Sequence, residues 1–154
     1  MKTRFELFTV LIAKASRYIY KLKTEEMREF DLKSSHVSCL YYIYKFERLT
    51  AKELCDICGE DKANVSRAIK YLETNGFLQC NSQTAKRYKS ALVLTEKGIA
   101  TAKHIVEKID TILQYASEGL SEEHRKIMYQ SLTLINNNLH KLCDGYDEEN
   151  GETL

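Results

Sequence analysis

The stretch from Thr50 to Gly76 reads TAKELCDICGEDKANVSRAIKYLETNG, and it predicts two short helices separated by a turn. Thr50 and Glu53 have the spacing of a capping box, which opens the first helix. Gly59 can end that helix in a left-handed conformation, and Asp61 can cap the helix that follows. Two short helices joined by a glycine-containing turn are typical of a helix-turn-helix unit.

The second of these helices has an apolar face and a polar, basic face. Its apolar positions recur at helical spacing and predict a buried side formed by Val65, Ala68, Ile69 and Leu72. The polar residues lie away from that side: Lys62, Asn64, Ser66, Arg67 and Lys70. Such a helix enters the DNA major groove, where Arg can read guanine, Asn can read adenine, and Ser and Lys can hold phosphate. These five are candidate DNA-binding residues; an ordinary solvated helix face is the alternative.

A β-hairpin is predicted directly after this helix. Residues 77–81 and 91–94 fit two short strands, and a polar loop separates them. The loop carries Lys86, Arg87 and Lys89, so three positive charges lie close to its tip. A basic β-loop beside a recognition helix is typical of a winged helix, and it can reach the minor groove or the phosphates. A loop that merely aids solubility is the alternative.

Long apolar stripes lie on both sides of this central unit. Before it, apolar residues from Phe5 to Leu22 step by three and four, and a second helix is predicted to begin after Ser34 or Ser35. Inward positions on that second helix are Val37, Leu40, Tyr41 and Tyr44, and Leu54, Ile57 and Cys58 are the inward positions of the short third helix.

Two further helices are predicted after the hairpin. Thr95 caps the first, Gly119 breaks it, and Ser121 starts the second. Their stripes are Ile99, Ala102, Val106, Ile109, Leu113 and Ala116 in one helix, and Met128, Leu132, Ile135, Leu139 and Leu142 in the other. The terminal stripes exceed what a small central unit can cover, so we predict a homodimer; a monomeric bundle is the alternative.

The fold expected is therefore mostly α with a small β-hairpin: a winged helix-turn-helix with N- and C-terminal dimerisation helices. We expect one domain over residues 1–143, with dimerisation helices at about 1–30 and 95–143 and the winged helix-turn-helix at about 34–94. Residues 144–154 hold five acids and no base, and they predict a flexible acidic tail.

Charge and composition exclude several classes of protein. The formal net charge is +1, but without the tail 23 basic residues face 17 acidic ones, which leaves a basic body of +6. No apolar run reaches the roughly 18 residues of a membrane span, so no membrane segment is expected. Five cysteines, an odd number, without a secretion signal favour a cytoplasmic location. No phosphate-cradling glycine loop, GxSxG or HExxH is present, so an enzyme is not expected.

Residues 32–98 resemble the MarR family of bacterial transcriptional regulators. The segments that carry the resemblance are LTAKEL (49–54), DKANVSR (61–67), LETNGFL (72–78) and LTEKG (94–98). The resemblance implies a homodimeric winged-helix repressor or activator that binds a pseudo-palindromic operator. It places Lys62, Asn64, Ser66 and Arg67 on the recognition helix and Arg87 in the wing. The family's wing acid is missing here, since Ala85 and Lys86 occupy that neighbourhood.

The resemblance also implies a switch, for which several residues are candidates. Tyr41, Tyr44 and His36 could line a pocket for a small aromatic effector, although half-buried packing is the alternative. Cys39 is a candidate for thiol-based redox sensing, with a buried, inert thiol as the alternative. Cys55 and Cys58 form a CxxC that lacks a second pair, so a structural role is favoured over a redox pair or a metal site. We expect no cofactor and no metal.

The function expected from the sequence is a sequence-specific DNA-binding repressor, a homodimer on double-stranded DNA that a small-molecule ligand releases. The alternatives are a thiol-based redox-sensing regulator and a winged-helix protein-interaction module that does not bind DNA.

Overall fold

The computed structural model describes residues 3, 6–46, 48–79 and 90–151, most of which are helical. The helices are α1 Leu11–Glu26, α2 Ser34–Lys45, α3 Ala51–Cys58, α4 Lys62–Thr74, α5 Glu96–Ala116 and α6 Glu122–Gly151. A π-helical turn, Glu6–Val10, precedes α1, and a 3-10 turn, Arg28–Phe30, lies between α1 and α2. Phe5, the first residue of the predicted N-terminal stripe, lies outside the described residues.

The chain divides into two compact units, Met1–Thr111 and Ile112–Leu154. In the first unit α2 packs against α4, and α3 contacts both. Each of the three helices contributes a fully buried leucine to this core: Leu40, Leu54 and Leu72. All four apolar residues predicted for the inner face of α4 are buried, which confirms that face of the helix.

The predicted caps of the central helices are confirmed. Thr50 and Glu53 form the capping box: the Glu53 N–H donates to Thr50 Oγ1 (3.3 Å), and the Thr50 N–H donates to Glu53 Oε2 (2.8 Å). Gly59 ends α3 with a φ of 66°, a conformation that a residue with a Cβ adopts only at a cost. Asp61 Oδ1 accepts from the Asn64 N–H at 2.8 Å and so caps α4.

The start of α2 differs from the prediction. Ser34 is already helical, and the N-cap residue is Lys33. The Lys33 N–H donates to Nδ1 of His36 (3.1 Å), so an imidazole three residues into the helix satisfies this backbone donor. Within the helix, the Ser38 hydroxyl donates to the Ser34 carbonyl oxygen (3.1 Å). The predicted start after Ser34 or Ser35 was wrong, because the helix begins at Ser34 and His36 closes the cap from inside the helix.

The predicted β-hairpin is not seen as two strands in the described part of the chain. Two isolated antiparallel bridges are present instead, Leu78 with Leu94 and Thr50 with Ala91. The N–H groups of Phe77 and Leu78 donate to the Leu72 carbonyl oxygen, so the end of α4 takes the donors that a strand would offer to its partner. Residues 80–89, which include the end of the first predicted strand and nearly all of the predicted loop, lie outside the described residues.

Two other predicted faces differ from those that the single chain buries. Ile57 is exposed rather than inward; Leu54 is the buried residue of α3, and Cys58 is half-buried against the core. The buried residues of α5 are Gly98, Thr101, Ala102 and Ile105, so of the predicted stripe Ala102 alone is fully buried. The buried face of α5 differs from the predicted stripe because the first turn of the helix packs closely against Phe77. At this contact Gly98 faces the Phe77 carbonyl group.

The last two helices begin as predicted. The Gly98 N–H donates to Thr95 Oγ1 (3.0 Å), and the His124 N–H donates to Ser121 Oγ (3.2 Å). The end of α6 differs from the prediction, since the helix continues to Gly151 and includes residues that were assigned to the acidic tail. The domain limits inferred from the sequence stay predictions.

Candidate nucleic-acid interface

Helix α4 turns a polar, basic surface to solvent from its first residue onwards. Lys62, Ser66, Arg67 and Lys70 are exposed, and Asn64 is half-buried. The opposite side of the helix is anchored in the core, so the direction of these side chains is set by packing rather than by their own preferences. The structure thus places all five predicted residues of the recognition helix on one exposed element.

Asn64 and Arg67 act as a linked pair. The Arg67 Nη2 group donates a hydrogen bond to Asn64 Oδ1 (2.5 Å). With its oxygen engaged, the Asn64 carboxamide can still offer its N–H donors, and the Arg67 guanidinium has further donors of its own. The pair therefore presents adjacent donors, which complement the acceptor atoms of purines in the major groove.

Tyr71 lies one turn further along the same flank of α4, and sequence reasoning missed it. Its hydroxyl donates to the carbonyl oxygen of Asp31 (2.7 Å) and lies 3.1 Å from Asp31 Oδ2. Its ring stacks on His36, with centroids 4.1 Å apart and an interplanar angle of 6°. Burial, together with the bond to Asp31, raises the pKa of Tyr71, which keeps the hydroxyl a donor. The spacing of residues 64, 67 and 71 indicates that Tyr71 lies on the same side of α4 as the pair. Its hydrogen-bond partner Asp31 could not be inferred in this way, because it lies 40 residues away in the sequence.

The base of the predicted wing is described, whereas its tip is not. The Gln79 N–H donates to the Val93 carbonyl oxygen (2.9 Å), and the Leu92 N–H donates to the Leu49 carbonyl oxygen (2.8 Å). The returning segment is therefore held on two sides, next to the end of α4 and next to the start of α3. The candidate wing residues Lys86, Arg87 and Lys89 lie outside the described residues, as do Ala85 and Cys80.

His36 has a structural role in the helix cap. Its Nδ1 atom accepts from Lys33, and its ring is covered by Tyr71. Burial lowers the pKa of His36, the nearby Lys33 lowers it further, and Asp31 opposes the shift in part. A neutral ring is what the cap needs, because Nδ1 can accept only while it carries no proton.

The two tyrosines that were candidates for an effector pocket, Tyr41 and Tyr44, are both half-buried on α2. Tyr41 makes an edge contact with Tyr42 at 5.3 Å between ring centroids, and Lys45 Nζ lies 5.8 Å from the Tyr41 ring centre. A separate open cavity of about 760 Å³ lies in the second unit, where Leu113, Ser117 and Tyr129 are among its lining residues. None of the three predicted pocket residues lines that cavity.

The cysteine candidates lie in and beside the core. Cys39 is fully buried, and burial raises the pKa of its thiol well above the usual range, so the thiol is protonated at neutral pH. Cys55 and Cys58 are half-buried, and burial raises the pKa of each. A thiolate is the reactive species in thiol oxidation, so these environments oppose a redox role for the three residues.

The described residues hold no group of three or more His, Cys, Asp or Glu side chains arranged to hold a metal ion. Among the same residues, no helix combines the length and the apolar character needed to cross a bilayer.

Comparison with known proteins identifies the family to which the chain belongs. The profile of the MarR family matches residues 30–87. The HTH-type transcriptional regulator YwoH of Bacillus subtilis is 35% identical over 111 residues, which cover 72% of this chain and 78% of YwoH. The chain belongs to the MarR family. The resemblance predicted from the sequence is thus confirmed.

Solved structures of the MarR family share the architecture over almost the whole length. A putative MarR family transcriptional regulator from Listeria monocytogenes, complexed with a 26mer DNA, matches with a TM-score of 0.77 and 25% identity, and 90% of each chain is covered. The S. aureus MepR–DNA complex matches with a TM-score of 0.77 and 20% identity over 89% of this chain and 99% of MepR, a likeness of fold. This MarR protein is therefore a winged-helix transcriptional regulator and not an enzyme.

Proposed function

We propose that this MarR protein is a homodimeric repressor that binds a pseudo-palindromic operator through α4. The observation that carries the proposal is the surface of α4, where Lys62, Ser66, Arg67 and Lys70 are exposed on a helix whose other face is locked into the core. A helix oriented in this way can enter the major groove as a rigid element. The DNA-bound Listeria relative supports the same use of the fold.

The dimer is proposed from apolar surface that the single chain leaves exposed. Helix α1 has no buried residue, although it carries Leu11, Ile12, Ile19 and Leu22. In the second unit, Ile127, Leu134, Leu139 and Leu142 of α6 are exposed as well. Exposed apolar surface of this extent marks an interaction site, and a second copy of the chain presents the complementary surface by symmetry.

A dimer gives the two recognition helices a defined relation to DNA. With one α4 from each subunit, two major grooves about one helical turn apart are contacted on the same face of the duplex. The basic charge of the chain without its acidic end adds attraction to phosphates, and that attraction weakens as salt rises. In this arrangement Lys62 and Lys70 hold phosphates, whereas Arg67 and Asn64 read bases.

The effector part of the proposal is that a small aromatic molecule releases the operator. The half-buried Tyr41 and Tyr44 on α2 support it, because tyrosines offer both apolar faces and hydroxyl groups to such a ligand. His36, the third residue predicted for this site, has its Nδ1 atom engaged in the helix cap. We propose repression rather than activation, so loss of the protein should raise expression from a reporter fused to the operator.

The test is fluorescence anisotropy with a duplex that the wild-type protein selects from a random library, compared with a scrambled duplex at two salt concentrations. Arg67→Ala should weaken binding to the selected duplex by about 5- to 150-fold, the effect of losing one base contact. Lys70→Ala should lower affinity for both duplexes and reduce the salt slope by about one. Lys141→Ala, an exposed position on α6, is the matched control and should change neither.

Two outcomes would overturn this function. Equal binding to the selected and scrambled duplexes would exclude sequence-specific recognition. No binding even at low salt would favour the alternative of a winged helix that contacts proteins instead of DNA. Sedimentation of the wild-type protein as a monomer at micromolar concentration would overturn the dimer.

A further inference from the structure

We propose that Tyr71 and Asp31 form a latch that positions the recognition helix, so that the half-site spacing tolerated by the protein depends on it. The latch consists of the Tyr71 hydroxyl and its two acceptors on Asp31. The inference rests on the proposed function, because half-site spacing has meaning only for a dimer that reads two half-sites.

The latch lies on the flank of α4 that bears the candidate base-reading pair. Asn64, Arg67 and Tyr71 are separated by three and four residues, so they follow one another along one side of the helix. The packing of Tyr71 therefore bears directly on where Asn64 and Arg67 point.

Asp31 holds its acceptors in an unusual backbone conformation. Its φ is 56°, and it is the one residue other than glycine with a positive φ in the described part of the chain. This left-handed geometry is unfavourable for residues with a Cβ, and aspartate is among the few that tolerate it. Here it brings both the carbonyl oxygen and the carboxylate of Asp31 within reach of one hydroxyl group.

The segment that ends at Asp31 is itself fixed to α5. Lys108 Nζ donates to Glu26 Oε2 (2.9 Å), and the rings of Phe30 and His104 meet edge to face at 5.5 Å. His104 Nε2 lies 3.3 Å from Glu29 Oε1, close enough for an ion pair when the ring is protonated, although it is not aligned for a hydrogen bond. Residues 26–31 thus connect α1 and α5 on one side with α4 on the other.

The position of residues 26–31 explains why the latch would affect the half-site spacing that the protein tolerates. The proposed dimer uses α1, where this connection begins, and α6, whereas DNA reading uses α4. A hydrogen-bonded link between these parts restricts how far each recognition helix can turn relative to the partner subunit. His36 stacks on the Tyr71 ring and does not involve the hydroxyl group. The effect of the hydroxyl group can therefore be tested separately from the packing of the ring.

The variant that isolates the latch is Tyr71→Phe, since phenylalanine keeps the ring and its stacking. Its affinity for the selected duplex should fall by no more than about 12-fold, the upper limit set by one net hydrogen bond within the protein. The decisive comparison uses the same duplex with one base pair inserted between the half-sites, which turns one half-site by about 34–36°. We expect the loss caused by the insertion to be at least about 3-fold smaller in Tyr71→Phe than in the wild type.

Two further variants complete the test. Tyr115→Phe removes a hydroxyl group from an exposed ring and should leave both affinities at the wild-type values. Asp31→Gly suits the left-handed backbone and removes the carboxylate while it keeps the carbonyl acceptor, so it should relax the spacing requirement less than Tyr71→Phe does, without lowering the melting temperature. A merely structural role of Tyr71 would lower the melting temperature and leave the ratio of the two affinities unchanged.

The outcomes separate this inference from the function on which it rests. If Tyr71→Phe and Asp31→Gly both lose as much affinity on insertion as the wild type, the latch is wrong and the proposed function stands. If the wild-type protein selects no duplex, the proposed function is wrong and the latch falls with it. If Tyr71→Phe does not fold, the same comparison with Asp31→Gly decides the matter.

Discussion

Replacing Gly98 with alanine should destabilise the protein strongly, whereas the same change at Gly145 should stabilise it. A Cβ on Gly98 would overlap the carbonyl oxygen of Phe77 and lie 3.1 Å from Leu94 Cδ2. The Phe77 oxygen cannot move away freely, because it accepts from the Thr95 N–H (3.1 Å) and from the Thr95 hydroxyl (3.2 Å). The glycine is therefore required by the close approach of α5 to the end of α4.

The magnitude follows from three effects. Loss of the two bonds to Phe77 costs about 1–3 kcal/mol in free energy of unfolding, and overpacking costs about 1–3 kcal/mol more. Replacing a helical glycine with alanine returns about 1 kcal/mol. Gly98→Ala should thus lose about 3 kcal/mol, which lowers the melting temperature by roughly 6–12 °C for a chain of this size.

Gly145→Ala isolates the helix-propensity gain. Gly145 lies within α6 and a Cβ there would meet nothing within 4 Å, so stability should rise by about 0.5–1 kcal/mol. Thermal unfolding followed by circular dichroism, at one fixed protein concentration, measures both variants. Equal melting temperatures for Gly98→Ala and Gly145→Ala would refute the close approach.

Three further predictions concern the cap of the recognition helix, the pH dependence of stability, and thiol reactivity. Asp61→Ala should lower stability by about 0.5–2 kcal/mol and Asp61→Asn by much less, because asparagine is an equally good N-cap; equal losses in thermal melts would contradict the cap. Burial lowers the pKa of His36 in the folded protein, so folding favours the neutral ring. The stabilisation that His36 contributes is therefore present above about pH 6.5, the ordinary pKa of histidine, and it is lost as the pH falls below that value. His36→Gln keeps an acceptor at the third helical position and should flatten that slope, so an unchanged slope would assign it to other groups. In alkylation followed by mass spectrometry, exposed Cys143 should react early and Cys39 last; labelling at equal rates would show that Cys39 is not buried.

The helix-turn-helix could be predicted in detail because its signals are local. Each cap or helix end depends on groups within three or four residues of it. The residues concerned are Thr50 and Glu53 at the start of α3, Gly59 at its end, and Asp61 at the start of α4. The buried side of α4 follows equally from spacing, since one helix packed on one core has one inner face. These are the parts of the chain where the prediction and the structure agree residue by residue.

The candidate site could be predicted only in part. The exposed side of α4 follows from its apolar stripe, so the residues from Lys62 to Lys70 were found from the sequence. Tyr71 was not singled out, because its hydrogen-bond partner Asp31 precedes it by 40 residues and only folding brings the two residues together. His36 was assigned to a pocket because a histidine beside tyrosines resembles a ligand site, whereas its ring closes a helix cap.

Local chemistry in the sequence by itself determined where the central helices begin and end, which side of α4 is buried, and that the body of the chain is basic. Tertiary structure alone decided the inner face of α5, the partners of residues 91–94, and the link from α4 to the turn at Asp31. The physical reason is that a cap or an amphipathic stripe involves neighbours within one or two helical turns. A close approach such as that of Gly98 to Phe77, by contrast, depends on how separate helices pack, and no spacing along the chain encodes it.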